Sequence, residues 1–194
     1  MNKFQNLSAF SVPRGFRNRS AIFTQVWWLV QALLFRPSPQ FFYAWRVFLL
    51  RCFGAKIGQG VKIRQSARVT YPWKVEIGDN AWIGDRAELY SLEAIVIGAD
   101  TCISQDSYIC TGSHDMNSTD FRYKCEAIHI ASEVWIAAGC FIGPGVRVGH
   151  GTVVGTRSVV LRSLEAESIY AGHPAKFIKK RSSNFALVSD EAAN

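Results

Sequence analysis

The residues of this sequence best suited to proton transfer near neutral pH are its four histidines, and His114 has the most informative setting. It follows Cys110-Thr111-Gly112-Ser113 and opens a polar stretch, residues 115–129. A loop that leaves a regular scaffold is where catalytic and binding residues concentrate. A lone histidine is also commonly structural or solvated, so the setting alone leaves both roles open for His114. The other three histidines are His129, His150 and His173.

Cysteine usage argues against a disulfide framework or a metal site. The five cysteines show no CxxC spacing, and three of them fall within the repeat described below, where small buried residues are required. We therefore expect reduced thiols, no metal and a cytoplasmic protein. The first apolar stretch begins too late for a secretory signal and lacks a small-residue cleavage site. The cysteines are Cys52, Cys102, Cys110, Cys125 and Cys140.

A six-residue repeat is the element that must position His114. An aliphatic residue opens each of fifteen hexapeptides, which predicts a parallel β-helix with one short strand and one turn per hexapeptide. Three strands close a triangular coil, so the repeat predicts five coils over residues 57–165. The fifteen extra residues 115–129 form an insertion at the third junction, directly after His114. The fifteen aliphatic positions are Ile57, Ile63, Val69, Ile77, Ile83, Leu89, Ile97, Ile103, Ile109, Ile130, Ile136, Ile142, Val148, Val154 and Val160.

Charge is divided unevenly along the chain. Residues 1–75 contain twelve Lys or Arg and no Asp or Glu, whereas the rest contains ten basic and fifteen acidic residues. Residues 1–56 are also rich in aromatic side chains and predict a helical hairpin, with helices over 20–35 and 40–53. The first helix, of about fifteen residues, is shorter than the roughly 20 residues needed to span a bilayer. Basic segments of this kind bind anionic membranes, nucleic acid or phosphorylated ligands, and we expect no nucleic acid here.

Two roles for the helical hairpin stay open. It can cap the exposed apolar end of the first coil, as terminal elements of solenoids do. It can also anchor the protein at a membrane interface, with aromatic rings among the headgroups and Arg on anionic lipid. The second helix is predicted to gather its apolar residues on one face, with Arg46 and Arg51 away from it. That face consists of Phe41, Phe42, Trp45, Phe48 and Leu49.

The hexapeptide period ends after Glu165. Residues 166–194 predict a turn that leaves the last coil, a basic segment and a polar, flexible tail from residue 182. The basic segment contains Lys176, Lys179, Lys180 and Arg181.

Several motifs resemble those of a known family. Residues 111–115 (Thr-Gly-Ser-His-Asp), followed by residues 135–138 (Trp-Ile-Ala-Ala), resemble the left-handed β-helix acetyltransferases of the hexapeptide-repeat superfamily. The resemblance covers roughly residues 15–181 and is greatest to the colanic acid biosynthesis acetyltransferases. The further matching segments are 33–39 (LLFRPSP), 53–58 (FGAKIG), 66–73 (SARVTYPW), 82–85 (WIGD) and 171–176 (AGHPAK).

This resemblance implies an all-β, left-handed solenoid that assembles as a homotrimer, with active sites between neighbouring solenoids. It implies that acetyl-CoA is the acetyl donor and that His114 is the general base for a sugar hydroxyl in surface-glycan biosynthesis. A lipid-linked sugar at the inner face of the cytoplasmic membrane fits the basic, aromatic N-terminus. The implied coenzyme contacts are Trp135, Ala137, Ala138, Thr156 and Lys176, and the expected acceptor contacts are Asp85 and Asp115.

Other functions were weighed against this one. The acceptor could instead be a small molecule of the serine or antibiotic type, and a non-catalytic, membrane-associated scaffold would use only the hairpin. A carbonic anhydrase of the γ type shares the solenoid but requires a close histidine pair for zinc. The histidines here are 15, 21 and 23 residues apart, which disfavours that enzyme.

Overall fold

Three parallel sheets form the three faces of a solenoid. The structure is a computed structural model that describes residues 4–182; the predicted flexible tail lies almost entirely outside these described residues. Sheet A contains β1 (Lys56–Ile57), β4 (Val75–Ile77), β7 (Ile95–Ile97), β12 (Ile128–Ile130) and β15 (Arg147–Val148). Sheet B contains β2 (Lys62–Ile63), β5 (Trp82–Ile83), β8 (Cys102–Ile103), β13 (Trp135–Ile136), β16 (Val153–Val154), β18 (Ser168–Ala171) and β19 (Lys176–Lys180). Sheet C contains β3 (Arg68–Val69), β6 (Glu88–Tyr90), β9 (Tyr108–Cys110), β14 (Phe141–Ile142) and β17 (Val159–Val160).

The predicted hexapeptide register is confirmed. All fifteen aliphatic residues are buried, and each pairs in parallel with its counterpart one coil away, as Ile57 does with Ile77. Stacked coils lie about 4.8 Å apart, so each coil buries its apolar face only against its neighbours. Glycine follows several of these residues because the coils approach closely there. A Cβ on Gly98 would lie 2.4 Å from the Ser132 amide nitrogen.

The solenoid continues for part of a sixth turn beyond residue 165. Strand β18 pairs in parallel with β16, although residues 168–176 were expected to leave the last coil as a turn. Ser168 and Tyr170 point inward in the alternating pattern of a strand, which a six-residue count does not detect. The chain then reverses, and β19 covers the sheet edge as an antiparallel strand.

The N-terminal helical hairpin covers the first coil, and the aromatic face of the second helix is exposed. Helix α1 (Ala21–Val30) continues as a π-helical turn through Gln31–Phe35, and helix α2 spans Tyr43–Cys52. Trp27 of α1 is fully buried, and its indole N–H donates to the carbonyl oxygen of Val69 at 2.9 Å. Of the five predicted apolar-face residues of α2, only Leu49 is buried. The four aromatic side chains of that face are exposed instead.

Arg46 of the same helix is buried. Its guanidinium is fully buried and donates to the carbonyl oxygens of Ile63 at 2.6 Å and Gln40 at 2.6 Å. It also donates to the Pro39 carbonyl and the Ser38 hydroxyl, both at 2.9 Å. The sequence analysis separates Arg46 from the apolar face of the second helix but does not predict its burial. Arg46 is buried because the turn before α2 and the end of β2 leave carbonyl groups that need a donor.

Candidate active site

The insertion after His114 forms a short antiparallel hairpin. Its strands are β10 (Gly112–His114) and β11 (Tyr123–Cys125), and His114 lies opposite Tyr123. The tip closes where the Asp115 amide donates to the Arg122 carbonyl oxygen at 2.9 Å. The final residues of the predicted insertion already belong to β12, so His129 lies in sheet A rather than beside His114.

The His114 ring is held in one orientation by the hairpin. Its Nδ1 lies 2.6 Å from the carbonyl oxygen of Phe121. A carbonyl oxygen only accepts hydrogen bonds, so Nδ1 carries the proton in this contact and Nε2 keeps its lone pair. The ring also stacks on Phe121 at 3.8 Å and on Tyr123 at 4.9 Å between centroids. The arrangement gives His114 a fixed tautomer with Nε2 as the basic nitrogen.

Asp115 does not orient this imidazole. Its Oδ1 accepts the Asn117 amide at 3.0 Å, which stabilises the turn at the hairpin tip. The orienting group is the backbone carbonyl of Phe121, which the sequence analysis did not identify. A backbone acceptor carries no signature of residue type, and only the hairpin register brings it to His114.

Three of the other predicted residues occupy one column. Asp85, Ala138 and Thr156 each stand three residues after the first residue of a sheet B strand, at the turn into sheet C. Trp135 lies on β13 in the adjoining face, half-exposed, and its indole N–H donates to the Ser104 hydroxyl at 3.0 Å. The sequence analysis identified these residues in separate motifs. The parallel pairing of the strands aligns Asp85, Ala138 and Thr156 along the solenoid.

The backbone N–H groups of Ala137 and Ala138, two of the implied coenzyme contacts, differ in their hydrogen bonding. The Ala137 N–H donates to the carbonyl oxygen of Val154 at 2.9 Å and is therefore occupied. The Ala138 N–H has no acceptor among residues 4–182. Ala138 is thus the one of the pair that can donate to a ligand.

A cleft of about 350 Å³, lined by charged, polar and apolar side chains, opens beside this column. The Asp85 carboxylate lies in it and accepts from Arg64 Nε at 2.6 Å and from the Ser66 hydroxyl at 2.7 Å. Burial alone would raise the pKa of Asp85, but these hydrogen bonds and the charge of Arg64 together hold it below its ordinary value. Lys62 lies over the Trp82 ring, 4.6 Å from its centroid. The lining residues that sequence reasoning missed include Tyr43, Lys62, Arg64, Ser104 and Gln105.

The predicted site residues do not meet within one chain. His114 lies at the corner between sheets C and A, whereas the Asp85–Ala138–Thr156 column lies at the corner between sheets B and C. Lys176 begins β19, is exposed and pairs with Ala171. Between residues 4 and 182, no three His, Cys, Asp or Glu side chains are grouped closely enough to hold a metal ion.

Two sequence relatives are named as acetyltransferases. WcaF of Escherichia coli K12, provisionally described as a colanic acid biosynthesis acetyltransferase, is 54% identical over 177 residues, which cover 91% of this chain and 97% of WcaF. WbbJ of the same strain, provisionally described as a lipopolysaccharide biosynthesis O-acetyl transferase, is 32% identical over 66% of this chain and 70% of WbbJ. No protein-family model matches the chain.

The solenoid also resembles a solved structure of this class. A hexapeptide-repeat-containing acetyltransferase of Vibrio cholerae, solved with acetyl coenzyme A, superposes with a TM-score of 0.75 at 22% identity, over 83% of this chain and 88% of that one. This agreement identifies the solenoid as a left-handed β-helix. With 54% identity to WcaF over nearly its whole length, the chain belongs to the hexapeptide-repeat acetyltransferase family.

Proposed function

We propose that this protein transfers the acetyl group of acetyl-CoA to a hydroxyl of a saccharide, with His114 as the general base. The observation that carries the proposal is the contact between His114 Nδ1 and the Phe121 carbonyl, which leaves Nε2 free to accept a proton. Family membership supports acetyl transfer, and the Vibrio cholerae structure supports acetyl-CoA as the donor. The O-acetyl transferase WbbJ supports an oxygen rather than a nitrogen acceptor.

The proposed reaction is direct transfer. Nε2 of His114 takes the hydroxyl proton while the hydroxyl oxygen attacks the thioester carbonyl carbon. The resulting oxyanion would be stabilised by the Ala138 N–H, which has no acceptor in the described chain. Collapse of the intermediate breaks the carbon–sulfur bond, and the departing sulfur takes the proton from the imidazolium. The products are an acetyl ester and coenzyme A.

Coenzyme binding is proposed for the column on sheet B. Backbone groups of Ala137, Ala138 and Thr156 would contact the pantetheine arm, and the half-exposed Trp135 would flank it. Lys176, on the exposed strand β19, would lie toward the phosphates at the nucleotide end of acetyl-CoA. These assignments rest on the resemblance to the family. The residues concerned lie on or beside sheet B, along one side of the solenoid.

A homotrimer is proposed because the two halves of the site lie on different corners of the triangular solenoid. His114 is at one corner and the Asp85–Ala138–Thr156 column is at another. A neighbouring copy that turns its sheet B toward His114 would complete the site. The acceptor would then bind in the cleft beside this column, with Asp85 and Asp115 as its proposed contacts.

The acceptor is proposed to be a lipid-linked saccharide used in surface-glycan biosynthesis, by analogy with WcaF and WbbJ. The cleft beside Asp85, which holds charged side chains, and an apolar hollow of about 390 Å³ adjoin the same part of the N-terminal helical hairpin. Tyr43 lines the cleft, while Phe42 and Trp45 line the hollow. An amphiphilic acceptor, with a sugar and a lipid chain, matches this pairing of surfaces.

The exposed face of the N-terminal helical hairpin is proposed to bind the cytoplasmic side of an anionic membrane. The face comprises apolar side chains of both helices, and residues 1–75 carry twelve basic and no acidic residues. No helix within residues 4–182 is both long enough and apolar enough to cross a bilayer. Contact would therefore be peripheral. The most exposed members of the face are Ile22, Leu29, Leu33, Phe41 and Phe48.

Replacing two of these residues by acids is expected to reduce membrane binding. Phe41 and Phe48 are 73% and 54% exposed, so Phe41→Glu with Phe48→Glu leaves the packed core intact. We expect at least about tenfold weaker binding to vesicles containing a quarter anionic phospholipid, because apolar contact is lost and negative charge is added. Flotation of the full-length chain measures this. Leu161→Glu, at a 59% exposed site on the last coil, is the matched control. Equal flotation of all three proteins would contradict the membrane role.

The enzymatic proposal is tested by acetyl transfer from labelled acetyl-CoA to a panel of acceptors. We expect label in saccharides, with lipid-linked saccharides preferred over free sugars. Label found only in serine or in an aminoglycoside would replace the saccharide assignment. Absence of acetyl-CoA binding would favour a non-catalytic scaffold.

A further inference from the structure

The N-terminal segment, residues 4–19, lies against the hairpin of β10 and β11 that carries His114, here called the catalytic hairpin. The Asn6 amide donates to the carbonyl oxygen of Thr119 at the hairpin tip, at 2.7 Å. Phe10 meets both His114 and Tyr123 edge to face, with ring centroids 5.9 and 5.2 Å apart. Phe16 stacks on Tyr123 at 4.6 Å with an interplanar angle of 10°. Four contacts thus join a segment distant in sequence to the hairpin that carries His114.

The same segment is fixed to the solenoid at its other end. The indole N–H of Trp73 donates to the Arg17 carbonyl oxygen at 2.6 Å. The ammonium group of Lys74 donates to the carbonyl oxygens of Phe16 at 3.1 Å and Leu92 at 2.5 Å. Trp73 and Lys74 form a short helical turn at a corner of the first coil. The segment therefore contacts both the hairpin and the rigid scaffold of the first coil.

The hairpin needs such a connection because its own pairing is small. Strands β10 and β11 have three residues each, and an isolated two-stranded hairpin is at best marginally stable in water. The Phe121 carbonyl that orients His114 belongs to the same hairpin, so both groups would move together if the hairpin shifted. The rings of Phe10 and Phe16 fix the hairpin relative to the solenoid, and hence fix where His114 Nε2 lies.

We propose that residues 4–19 act as a strap for the catalytic hairpin, with Phe10 and Phe16 as positioning residues for His114. The catalytic consequence of the strap, its effect on the transfer rate, rests on the proposed function. The positional consequence, its effect on where the His114 ring lies, does not. Misplacing a catalytic group by about 1 Å can cost about 100-fold in rate. Loss of both rings should therefore lower kcat, while the KM for acetyl-CoA, whose proposed contacts lie on sheet B, should change little.

The positional consequence is tested by nuclear magnetic resonance of the full-length, ¹³C-histidine-labelled chain. The His114 ring signals are assigned by their loss in His114→Ala. We expect Phe10→Ala and Phe16→Ala to shift and broaden these signals, because aromatic rings near the imidazole are removed and the hairpin becomes mobile. The matched control is Phe4→Ala in the same segment, since Phe4 is 90% exposed. Unmoved His114 signals in both Phe10→Ala and Phe16→Ala would overturn the strap, whatever the activity.

Kinetics of the same variants test the catalytic consequence. We expect kcat to fall about 10- to 100-fold in the double variant, with the KM for acetyl-CoA within about twofold of the wild type. Phe16→Tyr should keep the stacking on Tyr123 and retain most of the rate, whereas Phe16→Leu should not. Equal rates for Phe16→Tyr and Phe16→Leu, or an unchanged kcat in the double variant, would show that the rings do not position the base. If the His114 signals shift in the Phe10→Ala and Phe16→Ala variants but the wild type transfers no acetyl group, the strap is supported and the proposed function is wrong.

Discussion

His114→Ala is expected to lower the rate of acetyl transfer by about 100- to 10,000-fold, the usual contribution of a positioned general base. The variant loses the only proposed acceptor for the hydroxyl proton. The acceptor oxygen must then attack the thioester while it still carries its proton, and a protonated hydroxyl is a weak nucleophile. Acetyl-CoA affinity should stay within about twofold of the wild type, because the proposed coenzyme contacts lie at another corner of the solenoid. Single-turnover transfer and calorimetric binding of acetyl-CoA measure the two quantities separately.

His150→Ala is the matched histidine control. The His150 side chain is half-exposed at a turn, and its closest carboxylate oxygen, on Glu133, lies 3.9 Å away. Its replacement should leave the transfer rate unchanged. Light scattering should give three times the 21.7 kDa of one chain for the wild type and for both variants. A different mass for the wild type would refute the trimer, and a normal rate in His114→Ala would refute the assigned base.

Arg46→Met is expected to cause the largest loss of stability. Methionine keeps much of the length of arginine but donates no hydrogen bonds, so the buried Ile63 carbonyl and the partly buried carbonyls of Pro39 and Gln40 lose their donor. Hydrogen bonds to a charged group contribute about 1.5–3 kcal/mol each and are not additive, so we expect a loss of about 3–5 kcal/mol. Burial lowers the pKa of Arg46, although a guanidinium stays charged in proteins.

Thermal unfolding checks this expectation. A loss of that size corresponds to roughly 6–20 °C for a domain of this length. Arg36→Met is the control, because Arg36 is exposed at the end of the first helix, and it should change stability by less than about 0.5 kcal/mol. An Arg46→Met protein that melts within about 2 °C of the wild type would show that the carbonyl groups find other donors or water.

The solenoid could be predicted because every coil repeats the same physical requirement. An aliphatic residue must fill the interior at each sixth position, and all fifteen predicted residues are buried. The register then determines which turn residues align, so the column of Asp85, Ala138 and Thr156 follows from counting along the strands. Family motifs suggested these residues individually, but not that they form one line.

Features that depend on contacts between distant segments could not be predicted in this way. Hydrophobic periodicity grouped the aromatic residues of α2 on one face and separated Arg46 from it, but it could not show that Arg46 is the buried residue, because periodicity does not count backbone carbonyl groups in need of a donor. The orientation of His114 depends on a main-chain oxygen, and its position depends on Phe10, about a hundred residues earlier. The sequence analysis assigned no role to the segment around Phe10, although it contains three aromatic residues, Phe4, Phe10 and Phe16, because their spacing alone does not show which distant segment they contact.

The most direct test of the central claim is the chemical form of the acetyl group after transfer. Wild-type protein would be incubated with labelled acetyl-CoA and a lipid-linked saccharide, and the labelled product treated with mild alkali. Transfer to a hydroxyl predicts an ester, so the label should be released by alkali and should be nearly absent from the His114→Ala reaction. Label that resists alkali, as an amide does, or label that forms equally well with His114→Ala, would contradict O-acetylation with His114 as the base.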